Sequence, residues 1–127
     1  EQRTKTTLLE NDLKALGIDP ESINTSSLEA PSTLAQFLGR MYVIEGSTLG
    51  GAMIEKQLKL NPLLSGCSFD FYGGYGQNLI PFWKSFLAQL NTVEHPQEQD
   101  EAIEWARSCF KEMESCFINA KSMNLDS

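Results

Sequence analysis

The stretch YVIEGSTLGGAMIEKQL, residues 42–58, has apolar residues at helical spacing on both sides of a cluster of glycines. Gly46, Gly50 and Gly51 stand in the middle of it. Three glycines in a helix interior cost about 3 kcal/mol relative to alanine. On a 3.6-residue wheel Gly39, Gly46, Gly50 and Met53 fall within about a quarter turn of one another, with Tyr42 and Val43 beside them. One face of the expected helix is therefore nearly bare backbone. Two uses offset the cost: close approach of another helix, or close approach of a flat, rigid ligand over a bending backbone. A phosphate loop is excluded, because GSTLGG lacks the Lys-Ser/Thr ending and no strand precedes it. Arg40, Glu45, Glu55 and Lys56 exclude a membrane dimer face.

Outward from this stretch, helical periodicity runs from Ser32 to about Leu60, capped by Ser32 or Thr33 and ended by Asn61-Pro62. Upstream, TKTTLLENDLKAL (4–16) is helical and stops at Gly17. Residues 18–31 form a polar loop in which Asn24 to Ser27 offer caps. Downstream, LLSGCSFDFYGGYG (63–76) is an aromatic, glycine-rich connection. The alternation in CSFDFY resembles a strand but has no partner strand. NLIPFWKSFLAQLN is a helix opening near Pro81, and residues 91–97 form a turn. The long amphipathic helix from Gln97 to Met123 aligns Ile103, Ala106, Phe110, Met113 and Phe117 on one face. Acidic residues in its first turns complement the helix dipole. The expected class is all-α, about four helices in a single domain over residues 1–127.

Composition narrows the function classes. The 127 residues carry a net charge of −7, which excludes a basic nucleic-acid surface and one seeking anionic lipid. No apolar run is long enough to span a membrane, and no signal peptide is visible. Three cysteines, Cys67, Cys109 and Cys116, are an odd number without metal spacing. They fit a reducing cytoplasm and small apolar side chains, with Cys109 and Cys116 sharing one buried helix face.

LGRMYVIEGSTLGGAMIEKQL, followed by SFDFYGGYG and FWKSFLAQL, resembles the heme oxygenase family. The similarity is greatest to its bacterial, bacteriophytochrome-associated branch, and RTKTTLLENDLKALG and the last helix extend it along nearly the whole chain. The combination of EGSTLGG with a downstream FYGGYG is specific, whereas either piece alone is weak. The resemblance implies a helical bundle holding heme between a proximal and a distal helix. Residues 42–58 are then the distal helix, and Gly46, Ser47 and Gly50 the positions at the reacting oxygen. Tyr42, Gly46, Ser47, Thr48, Gly50, Gly51 and Lys84 are then the heme contacts, Lys84 at a propionate. The implied reaction opens heme, both cofactor and substrate, to biliverdin, carbon monoxide and ferrous iron. Electrons come from a reductase or ferredoxin, and a phytochrome is a candidate recipient of the biliverdin. Ser47 replaces an acidic residue of the mammalian branch, so an uncharged hydroxyl holds the distal water.

The family ligates iron through a histidine on an N-terminal helix, and the segment matching Arg3 to Gly17 follows that helix. The expectation is therefore a chain without its proximal helix and without a metal ligand of its own. Glu1 in place of Met favours a longer or cleaved parent, and loss of that wall would expose an apolar patch that promotes association. The one histidine, His95, lies in a polar turn before Pro96 and reads as a surface residue. Phe71, Tyr72, Tyr75, Trp83 and Phe86 read as core, Phe110 and Phe117 as core or porphyrin edge, and Gly73, Gly74 and Gly76 as turn residues. Arg40 is a candidate partner for Glu45. Three functions follow: a heme oxygenase, truncated and inactive as this chain alone; a non-catalytic module of that fold binding a tetrapyrrole or a protein; or a structural domain whose glycines only pack helices.

Overall fold

The structure, a computed structural model, describes residues 5–23 and 28–125, with side chains to residue 121. The expected caps at Asn24 to Ser27 lie outside these residues. Five α-helices follow one another: α1 (Thr6–Ala15), α2 (Leu34–Lys59), α3 (Asp70–Gly73), α4 (Leu79–Leu90) and α5 (Pro96–Leu125). Short 3-10 turns lie at Pro20–Ser22, Pro62–Leu64 and Gly76–Asn78. There is no strand among the described residues, so the all-α expectation holds.

Local chemistry explains the boundaries. The Gln36 amide N–H donates to Thr33 Oγ1 at 3.1 Å, which makes Thr33 the cap of α2. The Gln36 side chain accepts from the Ser32 amide at 2.8 Å, so Gln36 ties the first turn to both residues that precede it. Asn61 ends the helix and caps the next turn by accepting from the Leu63 amide at 3.0 Å. α4 begins at Leu79, two residues before the expected Pro81, which the first turn tolerates. Pro96 is the first residue of α5, where a missing N–H costs nothing. The connection over residues 63–76, expected to be irregular, contains the single turn α3. Its return is made by Gly74 and Gly76 at φ of 50° and 56°, a left-handed backbone suited to glycine.

The chain divides into two compact units. The first comprises Glu1–Glu29 and Gly46–Phe86. It buries Phe69, Phe86, Thr48 and the carboxylate of Asp12. The second comprises Ala30–Glu45 and Leu87–Ser127. It buries Ala35, Leu38, Val43, Ala102 and Cys109, with Glu45 only 1% exposed. Here α2 and α5 meet through their smallest residues: a Cβ on Gly39 would lie 2.1 Å from the Ala102 carbonyl oxygen. The Arg40 guanidinium stacks over Trp105 at 4.7 Å, and Gln36 Nε2 donates to Glu101 Oε1 at 2.7 Å.

Two expectations for α5 are corrected. The aligned residues Ile103, Phe110, Met113 and Phe117 are exposed, Phe117 at 71%. The helix instead buries Ala102 and Cys109, about a quarter turn away. A backbone as close as that of Gly39 selects the small side chain of Ala102, not the large apolar ones. Cys116 shares the face of Cys109 but is exposed, as is every described side chain from Met113 to Lys121. Packing on that face ends before Cys116 is reached.

Burial pushes the Cys109 thiol up, and the nearby Arg40 charge only partly opposes this. Cys109 therefore stays protonated and shielded at neutral pH, whereas Cys116 is accessible. N-ethylmaleimide is expected to modify Cys116 first and Cys109 slower by about tenfold or more. Peptide mass spectrometry over time checks this, and equal rates would contradict the packing of α5.

Candidate functional site

The glycines of α2 are not equivalent. α2 is an unbroken helix through all of them, so each glycine is explained by what its missing side chain leaves. A Cβ on Gly51 would lie 2.7 Å from the Tyr72 carbonyl oxygen, so this glycine admits the backbone of α3. A Cβ on Gly46 would stand 3.7 Å from the Trp83 indole, an ordinary contact. A Cβ on Gly50 would meet nothing within 4 Å. Helix packing thus explains Gly51, and it leaves Gly50 without a structural reason to be glycine.

The surroundings of Gly50 are apolar. On the helix wheel Gly46 and Gly50 are about 40° apart, with Leu49 and Met53 on one flank and Ile54 on the other. All three flanking side chains are exposed, Met53 at 71%. The result is a shallow strip of bare backbone between aliphatic walls, backed at Gly46 by Trp83. Trp83 is itself stacked on the buried Phe86, ring centroids 5.8 Å apart at 27°. A flat apolar ring can lie on such a strip in van der Waals contact with the main chain, which a side chain at position 50 would prevent.

The residues expected to share this site separate as follows. Ser47 is exposed on the edge of the strip next to Gly50, so its hydroxyl can meet a polar group or water there. Thr48 is buried and lies on the opposite side of α2 from Gly50. Lys84 is exposed in α4, one residue after Trp83. Tyr42 belongs to the other unit, where with Leu90, Ile103, Ala106 and Phe110 it lines an apolar groove of about 280 Å³. His95 is exposed at the start of α5, its carbonyl accepting from the Gln99 amide at 2.9 Å. No group of three or more His, Cys, Asp or Glu among the described residues could hold a metal ion. No described helix is long and apolar enough to cross a membrane.

Sequence reasoning missed Asp12. It is the only buried residue of α1, at 6% exposure. Its carboxylate oxygens accept from the Asp70 and Phe71 amides at 3.0 and 2.8 Å. It therefore caps α3 from 58 residues away. Nothing local in LLENDLK distinguishes it from a solvated helix acid.

A family model described as heme oxygenase matches residues 5–118. No curated protein and no solved structure matches significantly. The family match takes in α1, the whole of the glycine helix, α3, α4 and most of α5, so the chain belongs to the heme oxygenase family.

Proposed function

We propose that this chain takes part in the oxidative opening of heme to biliverdin, carbon monoxide and ferrous iron, and that the strip at Gly46 and Gly50 is its distal surface. One observation carries the reading: Gly50 has open space where a side chain would stand, although alanine would stabilise the helix by about 1 kcal/mol. When bound, heme supplies the iron, the oxygen activation and the carbon that is lost. The chain's own part is placement. The bare backbone at Gly46 and Gly50 sets how closely a ring can approach. Leu49, Met53 and Ile54 exclude bulk water from its faces. The Ser47 hydroxyl, at the rim of the strip, holds water near the reacting edge, and the Lys84 ammonium pairs with a propionate. Oxygen and an external reductant, a reductase or ferredoxin, supply what the chain lacks. The similarity of EGSTLGG and FYGGYG to the bacterial branch supports a phytochrome as recipient of the biliverdin.

Hemin titration tests this directly. A saturable Soret band is expected, followed, once imidazole is supplied as the iron ligand, by a rising biliverdin band on adding ascorbate under oxygen. A bound spectrum without biliverdin would favour a non-catalytic tetrapyrrole-binding module. No saturable spectrum would remove the heme reading altogether.

A further inference from the structure

α3 has four residues, too few to be stable as an isolated helix. Its own cap residue, Phe69, offers no side-chain hydrogen bond. α3 is held instead from other elements of the same unit. Asp12 of α1 accepts both of its first amides. Lys5 lies 4.9 Å from the Phe71 ring and 5.4 Å from the Tyr75 ring. On the α2 side, the Tyr72 carbonyl is seated on Gly51, and Gly73 lies against the Glu55 carboxylate. One buried carboxylate thus fixes a turn whose backbone presses on the residue next to Gly50.

We propose that Asp12 is a positioning residue for the glycine segment of α2. By holding α3 against Gly51, it sets the position of the strip at Gly46 and Gly50 on which the tetrapyrrole lies. The proposal rests on the heme reading for its ligand, but the coupling from Asp12 to Gly51 stands on contacts within the chain. The chemistry is specific to a carboxylate. Two acceptor oxygens meet two N–H donors; asparagine keeps one acceptor and turns an N–H toward the other amide, and alanine leaves both unpaired.

The test uses Asp12→Ala, Asp12→Asn, Gly51→Ala and the double variant Asp12→Ala/Gly51→Ala. Asp19→Ala is the control, since Asp19 caps the Pro20–Ser22 turn of the same unit. Amide hydrogen exchange without hemin is read at residues 50–54 and 70–71, and hemin affinity is read by titration. Asp12→Ala is expected to speed exchange at residues 70–71 by about tenfold, and at residues 50–54 by a smaller but clear factor, because each lost charge-assisted bond is worth about tenfold or more in an opening equilibrium. Hemin Kd is expected to rise by roughly tenfold, with Asp12→Asn intermediate and the double variant no worse than either single one. The Asp19→Ala control leaves residues 50–54 and hemin Kd unchanged. Faster exchange confined to residues 70–71 with unaltered hemin Kd overturns the proposal, as do additive effects in the double variant. If Asp12→Ala does not fold, Asp12→Asn and Gly51→Ala decide by the same readings. If the unaltered chain binds no hemin, the heme reading fails, and exchange at residues 50–54 alone decides the role of Asp12.

Discussion

Gly50→Leu is expected to abolish hemin binding while the chain remains folded. Nothing lies within 4 Å of the position a Cβ would take at Gly50, so the new side chain meets no protein atom at its base. Replacing a helix-interior glycine also removes a penalty of about 1 kcal/mol, so the midpoint of chemical denaturation should hold or rise. A leucine there stands several ångströms above the strip between Leu49, Met53 and Ile54. A ring seated on the main chain would have to lift off by that distance and lose its contacts, most of the dispersion energy at the surface. The expected loss of affinity is a hundredfold or more, about 3 kcal/mol. Gly50→Ala separates the two effects, since it keeps the stability gain with a smaller obstruction. A Gly50→Leu chain that binds hemin normally would show that the strip is not where heme lies. One that unfolds would show that Gly50 packs against protein after all.

Gly39→Ala is expected to do the opposite: to destabilise the chain by about 3 kcal/mol, at the upper end of the cost of overpacking a core. The added methyl would stand 2.1 Å from the Ala102 carbonyl oxygen, 2.9 Å from its carbon and 3.0 Å from its Cα. These are backbone atoms of α5, so no side-chain rotation relieves the overlap. The two helices must separate, which loosens the packing of Leu38 and Cys109 beside them. Against a total stability of about 5–15 kcal/mol, the fall is large enough to read directly in urea denaturation. A change below about 1 kcal/mol would mean that the helices do not cross as closely as this. The pair Gly50 and Gly39 thus turns one residue type, on one face of one helix, into opposite outcomes.

That contrast shows where sequence reading stops. The glycine stripe was legible at once, and so was the choice it posed between helix packing and a flat ligand. The tertiary structure answers it residue by residue. Gly39 and Gly51 admit backbone from α5 and α3, Gly46 faces an indole, and Gly50 faces open space. Periodicity cannot make that division, because it records which residues share a face and not what stands opposite. The same gap explains α5. Its apolar stripe was real, but proximity of α2 at Gly39 selected Ala102 for burial and left Phe110 exposed.

The order and class of the helices were set by local chemistry, and EGSTLGG and FYGGYG carried the resemblance to the family that the match over residues 5–118 shows. Caps, prolines and glycines act over three or four residues, so they can be read from neighbours in the chain. Asp12 could not be read that way. Its importance comes from two amides 58 and 59 residues downstream, and only folding brings them within hydrogen-bonding distance. Which glycine is packed and which is left open, and which acid is solvated and which is buried, are facts about opposing surfaces. Only the tertiary structure decides them, because the energies involved depend on contacts between segments distant in sequence.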